Sequence, residues 1–145
     1  MNFNCIVPNF NFLGTSVLKL EVQNSISSLT DDLTRKFGMD IIISELSKEE
    51  QTRIGKVLLK ILVELERDGK NVCTIDMILE GAFSSPISVD EEKFTSLVMI
   101  NGASALFSVG RAKVESISSL VFTSGKLVLP FVNIYDFYKQ KEKEE

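Results

Sequence analysis

Residues 54–83 read IGKVLLKILVELERDGKNVCTIDMILEGAF, and the fold turns on whether their first half is helix or strand. Ile54, Leu58, Ile61, Leu62 and Leu65 fall on one helical stripe, and Ser47 with Glu50 spells a capping box ahead of it. The same stretch also alternates. Val57, Leu59, Ile61, Val63 and Leu65 make one apolar face, while Lys56, Leu58, Lys60, Leu62, Glu64 and Glu66 make a mixed one. Local pattern does not separate the two readings. Asp68-Gly69 tips the balance, because this pair suits the two positive φ angles of a type I′ hairpin turn. Val72 to Phe83 then continues in residues that favour a strand. The expectation is two long antiparallel strands joined at Asp68-Gly69; the rival is a helix whose C′ residue is Gly69.

Upstream, Ser16 to Gln23 sets apolar Val17, Leu18, Leu20 and Val22 against Lys19, Glu21 and Gln23, a strand with one wet face. Ile41, Ile42 and Ile43 place a second strand in Phe37 to Leu46, with a loop or short helical turn at Ser25 to Thr34 between them. Downstream the character changes. Ser84-Ser85-Pro86 is a loop, Ser88-x-x-Glu91 opens a short helix toward Met99, and Asn101-Gly102 punctuates it. Phe107, Gly110, Val114, Ile117 and Val121 form the stripe of a long helix over Ala103 to Thr123, with Gly125 as its C′ residue. Leu127-Val128-Leu129-Pro130 is extended, and Asp136 to Glu145 is a last helix fraying into a Lys/Glu tail. Strands followed by helices imply an α+β layer in which helices cover one face of an antiparallel sheet. Leu58 and Leu62 on the second face call for a further subunit. The odd-numbered face with Ile41 and Ile43 would supply its apolar interface, through Ile41, Ile43, Val57, Leu59, Ile61 and Val63. The other reading leaves the two leucines singly on a wet face.

The chain has 145 residues, enough for one domain with a core of its own. Its formal charge of −4 offers no electrostatic footprint for nucleic acid or anionic lipid. With no histidine, Ser-His-Asp and Cys-His catalysis and every His-ligated metal site are excluded. Asp31-Asp32 and Asp90-Glu91-Glu92 read as turn and helix-start acids rather than a catalytic pair, so no enzyme is expected. No Gly-x-x-x-x-Gly-Lys or Gly-x-Gly-x-x-Gly occurs, and no cofactor is expected. Cys5 and Cys73 lie far apart without metal spacing and suit a reducing cytoplasm. Residues 1–15 lack a signal-peptide pattern and no apolar run is long enough to span a membrane, so a cytoplasmic protein without membrane insertion is expected.

Leu106-Phe107 with Arg111, then Gly125, Leu127, Leu129, Pro130, Val132-Asn133 and Tyr138, resembles the SecB family of protein-export chaperones. Ser16 to Asn24 is similar to that family's first strand, and Glu80-Gly81-Ala82-Phe83 to the end of its long hairpin. The likeness runs from about Leu13 to Tyr138. Ser108 stands where the family has Pro, and Pro130 is one position out of register. The resemblance implies a four-stranded antiparallel sheet with a long helix and a short C-terminal helix packed on one face. It also implies one domain over 1–145, with the sheet at 13–83, the helical layer at 84–140 and a charged tail at 141–145. It implies an ATP-independent chaperone, a homodimer or homotetramer, that binds unfolded polypeptide clients in apolar grooves. Groove candidates are Phe83, Ile87, Phe94, Leu97 and Phe131, each of which also suits plain core. Glu21 and Asp76 match family acids that contact the translocase motor SecA, whereas Val17 and Thr74 depart from that pattern. The alternative is a non-catalytic adaptor on the same fold with one dedicated partner, for example an antitoxin-type client.

Overall fold

Residues 54–83 form the central hairpin of the fold. In the computed structural model, which describes residues 1–145, Asp68 and Gly69 have φ of 52° and 77°, and Arg67 pairs with Lys70 across the turn. The strands are β1 (Asn11–Asn24), β2 (Thr34–Glu49), β3 (Thr52–Arg67) and β4 (Lys70–Pro86). They make one antiparallel sheet in the order β1-β4-β3-β2, so the hairpin supplies both inner strands. The helices are α1 (Glu91–Leu97), a π-helical turn at Val98–Gly102, α2 (Ala103–Val121) and α3 (Ile134–Glu144).

Alternation decides which side is dry. Leu59 pairs with Leu79, Ile61 with Met77 and Val63 with Ile75, and every one of these side chains is at most 2% exposed. Helix α2 lies over β3 and β4 and presents Leu106, Phe107, Gly110 and Val114 to them. Gly110 permits the close approach: a Cβ there would stand 2.7 Å from Ile61 Cδ1 and 3.2 Å from Leu59 Cδ2. The expected subunit interface is therefore corrected. Ile41, Val57, Leu59, Ile61 and Val63 are core beneath this chain's own helix, and Ile43 is half-buried against that core. The face left without helices carries Ile42, Leu58 and Ile78 half-buried and Leu62 more exposed, set among Lys60, Asp40 and Glu80.

Several local expectations shift for identifiable reasons. β2 runs into β3 through a tight turn at Glu50, whose φ is 51°, so Ser47 and Glu50 are not a helix cap. The α1 cap is Asp90, which accepts the Lys93 N–H, rather than Ser88. Asn101-Gly102 does not interrupt the helix. Gly102 stays helical inside the π turn, where a Cβ would come within 3.1 Å of the Phe83 ring. β1 carries two bulges, and the one between Val17 and Lys19 puts both Val17 and Leu20 on the helix side, opposite Leu79 and Met77.

Helix α2 ends at Val121, with extended Phe122 after it, short of Gly125. Gly125 instead lets the chain bend against the 25–33 loop, where Thr123 and Leu29 exchange backbone bonds with Ser27 and Ser124. Its φ is +90° and a Cβ would lie 2.7 Å from Leu29 Cβ. Gly125→Ala should therefore lower stability by about 1–3 kcal/mol in urea unfolding. Gly38→Ala, whose Cβ meets nothing closer than 3.9 Å, should leave the urea midpoint almost unchanged. Equal effects would contradict this reading of the bend.

Candidate functional site

The segment after α2 is extended because its side chains alternate between core and water. Leu127 and Leu129 are buried, while Val128 and Pro130 are exposed. Two side chains of α2 hold its backbone. The Leu127 N–H donates to Ser118 Oγ at 3.0 Å, and Arg111 Nε donates to the Leu129 carbonyl at 3.0 Å. Arg111 also lies 4.4 Å over the ring of Phe131, which is 89% exposed. Asn133 then caps α3 by accepting the Asp136 N–H.

This braced segment runs opposite β2, an edge strand, and the two leave a cavity of about 80 Å³ between them. Its lining comes from both walls and the floor: Phe37, Gly38 and Met39 of β2, Ile61 of β3, Phe107 of α2, and Leu129, Pro130 and Val132. Apart from Gly38 and Pro130 the lining is large and apolar. The volume is about half of the ~150 Å³ that admits a benzene ring, so the cavity suits an aliphatic side chain. Beside it, the outer edge of β2 has no strand partner, which suits an extended peptide laid along the edge.

Helix α3 meets that edge at Asp40 and Ile41, directly after the cavity residue Met39. Lys141 Nζ donates to Asp40 Oδ1 at 2.9 Å and to the Ile41 carbonyl at 3.0 Å, so one free carbonyl of the edge strand is satisfied by a side chain. The Lys141 hydrogen bond holds the Asp40 carboxyl below its ordinary value of 3.8, against partial desolvation. Tyr138 lies nearby with a buried hydroxyl that has no partner, and burial, together with the charge of Asp40, pushes its pKa up.

The residues singled out from sequence fall in three places. Phe131 stands beside the cavity just described. Phe83 and Phe94 are buried some distance away, about 20 Å along β3 as judged from Gly55 and Ile61, and the Phe10 ring lies against both. Ile87 and Leu97 are half-buried near that end. Glu21 and Asp76 sit directly opposite each other on the helix-free face, and Lys19 separates their charges at 3.8 Å and 2.8 Å. Sequence reasoning passed over Phe37, Met39 and Lys19 and did not read Phe107 as a lining residue. Arg111 and Leu129-Pro130 were visible as a motif, but only the tertiary fold reveals that they brace a wall facing β2.

No protein-family model matches the sequence, and no curated protein matches it. Among solved structures, the chain aligns with the Mycobacterium tuberculosis SecB-like chaperone Rv1957, solved in complex with a ChAD peptide from the Rv1956 HigA1 antitoxin. The TM-score is 0.67 at 14% identity, over 86% of this chain and 91% of that one. A Streptococcus agalactiae protein of unknown function aligns with a TM-score of 0.49 at 8% identity, over 84% of this chain and 97% of that one. The first alignment establishes the fold: a four-stranded antiparallel sheet with a long helix and a short C-terminal helix, the SecB-like arrangement.

The Asp40–Lys141 tie has a pH signature. Because the folded carboxyl is held below 3.8, its contribution is complete above that pH and is lost as pH falls through the depressed value. Lys141→Met should cost about 0.2–1 kcal/mol near neutral pH, the size of an exposed ion pair, and progressively less as pH falls below 3.8. An NMR titration should find Asp40 returning toward 3.8 in that variant; an unmoved Asp40 would contradict the tie.

Proposed function

We propose that this chain is a non-enzymatic, ATP-independent chaperone that holds extended, apolar segments of unfolded or partly folded polypeptides in the cytoplasm. The observation that carries the reading is the cavity between β2 and Leu129–Val132: apolar, open to solvent, and set beside an unpaired strand edge. A peptide laid along that edge gains main-chain hydrogen bonds that do not depend on its sequence. The cavity takes one aliphatic side chain of that peptide, and exposed Phe131 adds a broad apolar contact at the rim. Arg111 and Ser118 hold the wall in place before any client arrives, which lowers the ordering cost of binding. Two unpaired cysteines and the absence of any helix able to cross a membrane agree with the proposed location.

One such groove binds weakly, so the working form is taken to be an oligomer with several. The fold offers a surface for it on β1. Phe12, Val17, Leu20 and Val22 lie on the helix side of this second edge strand and are 37–46% exposed. Such an edge is open to pairing by a second copy. Beside it, α2 exposes the small residues Ser104, Ser108, Ala112 and Ser116 at helical spacing, suited to close packing against another helix.

A dedicated client of antitoxin type is the second reading, favoured by the antitoxin peptide on the Mycobacterium tuberculosis neighbour. A translocase contact at Glu21 and Asp76 draws less support, because Lys19 already pairs with Asp76 there.

Denatured client diluted from urea should aggregate less in the presence of the protein, whether or not ATP is added. Met39→Asp and Phe131→Ala should each raise the amount of protein required, by up to about tenfold for loss of one apolar contact. Light scattering unchanged by a molar excess of wild type would overturn the holdase reading. A single polypeptide bound tightly while denatured clients are ignored would select the dedicated-client reading.

A further inference from the structure

The outer edge of β2 is open beside the cavity and shut one position further on. Successive residues of an antiparallel strand turn their backbone N–H and C=O to alternate sides. Ile41 turns both away from β3, and side chains meet them there. Its N–H donates to Asp40 Oδ1 at 2.9 Å, and its carbonyl accepts Lys141 Nζ at 3.0 Å. Lys141 Nζ also donates to Asp40 Oδ1 at 2.9 Å, so carboxylate, ammonium and the two peptide groups close a ring around Ile41. The register from Thr34 to Ile43 is unbroken, which turns Phe37, Met39 and Ile43 outward in the same way. No backbone bond outside the sheet ladder reaches any of those three.

The ring stands where the backbone of a further strand would lie. Asp40, paired with Lys60, belongs to the helix-free face, whereas α3 packs on the other side through Ile134, Phe137 and Tyr138. The Lys141 side chain therefore crosses the strand edge to reach Asp40. A docked peptide bonds to every second residue of the edge, and at Ile41 both of its bonding positions are taken. To pair there it must exchange bonds to an ionised carboxylate and an ammonium for neutral amide bonds, which are roughly half as strong. Past Ile41 the ladder is regular only to Ile43, because a bulge follows before Glu45. Ile41 and Ile43 are thus the positions that the ring closes off.

We propose that Asp40 and Lys141 are positioning residues for client binding: their clasp on Ile41 ends the docked client strand at Met39 and so holds it in register over the cavity. The proposal rests on the holdase reading and deepens it. Main-chain bonds to a strand edge carry no sequence preference, so by themselves they let a peptide slide. Phe37, Gly38 and Met39 line the cavity immediately before the clasp, and a stop at that point fixes which client residue lies over it. The clasp acts through the backbone of Ile41, without contributing to the apolar contact.

Amide hydrogen exchange read by NMR tests this, with reduced, carboxymethylated α-lactalbumin as the unfolded probe. Bound to the wild type, the probe should slow exchange at Phe37 and Met39 by about tenfold or more and leave Ile43 at its free rate. In the double variant Asp40→Ala with Lys141→Met, the protection should spread through Ile41 to Ile43. Lys141→Met alone frees the Ile41 carbonyl and should give a weaker spread, so the readout survives if the double variant does not fold. Lys141→Arg keeps a donor for both acceptors and should restore the wild-type pattern. Protection that reaches Ile43 in the wild type, or that ends at Met39 in every variant, overturns the stop and leaves the holdase reading standing. A probe that binds without protecting any β2 amide overturns edge pairing and the stop together. A probe that does not bind overturns the holdase reading as well.

Discussion

The fold depends on one dry contact: the odd-numbered side chains of β3 and their β4 partners, pressed against the glycine-notched face of α2. Leu59, Ile61, Leu79 and Gly110 meet there at distances that leave no room for one more methyl group. That contact fixes the register of the central hairpin, because a slip of one residue would turn Lys56, Lys60 and Glu64 into the core. It also fixes where α2 ends and hence where the Leu127–Val132 segment begins. The groove proposed for clients is thus a consequence of core packing. Its floor, Ile61 and Phe107, belongs to the core contact itself.

Both edges of the sheet remain open, and they are managed differently. At β2, α3 places Lys141 on the Ile41 carbonyl and leaves the stretch from Phe37 to Met39 beside the cavity. At β1, two bulges turn an apolar row to the helix side without covering it. An uncovered apolar row on an edge strand is a liability in a lone subunit. On the proposed account it is the surface that a second copy covers.

Much of this was legible from residue order. Asp68-Gly69 announced the hairpin, and the Phe107–Gly110–Val114 stripe announced α2, because turn chemistry and periodicity are local signals. The odd face of β3 was equally visible as apolar, yet its cover was misassigned to another subunit. Alternation tells which residues share a face and is silent about what lies over it. The same limit hid the groove: Phe37 and Met39 sit in an ordinary strand pattern, and only the path of Leu129–Val132 makes them a wall. Asn101-Gly102 misled because a glycine packed under a phenylalanine ring need not break a helix. The Glu50 turn misled because no Gly or Asn marks it.

The central claim is that clients bind between β2 and the Arg111-braced segment, on the helix side of the sheet. Methyl NMR of the labelled protein with an unfolded client tests it most directly. The account requires shifts at Met39, Leu129 and Val132; shifts confined to Ile42, Leu58 and Ile78 on the opposite face would contradict it.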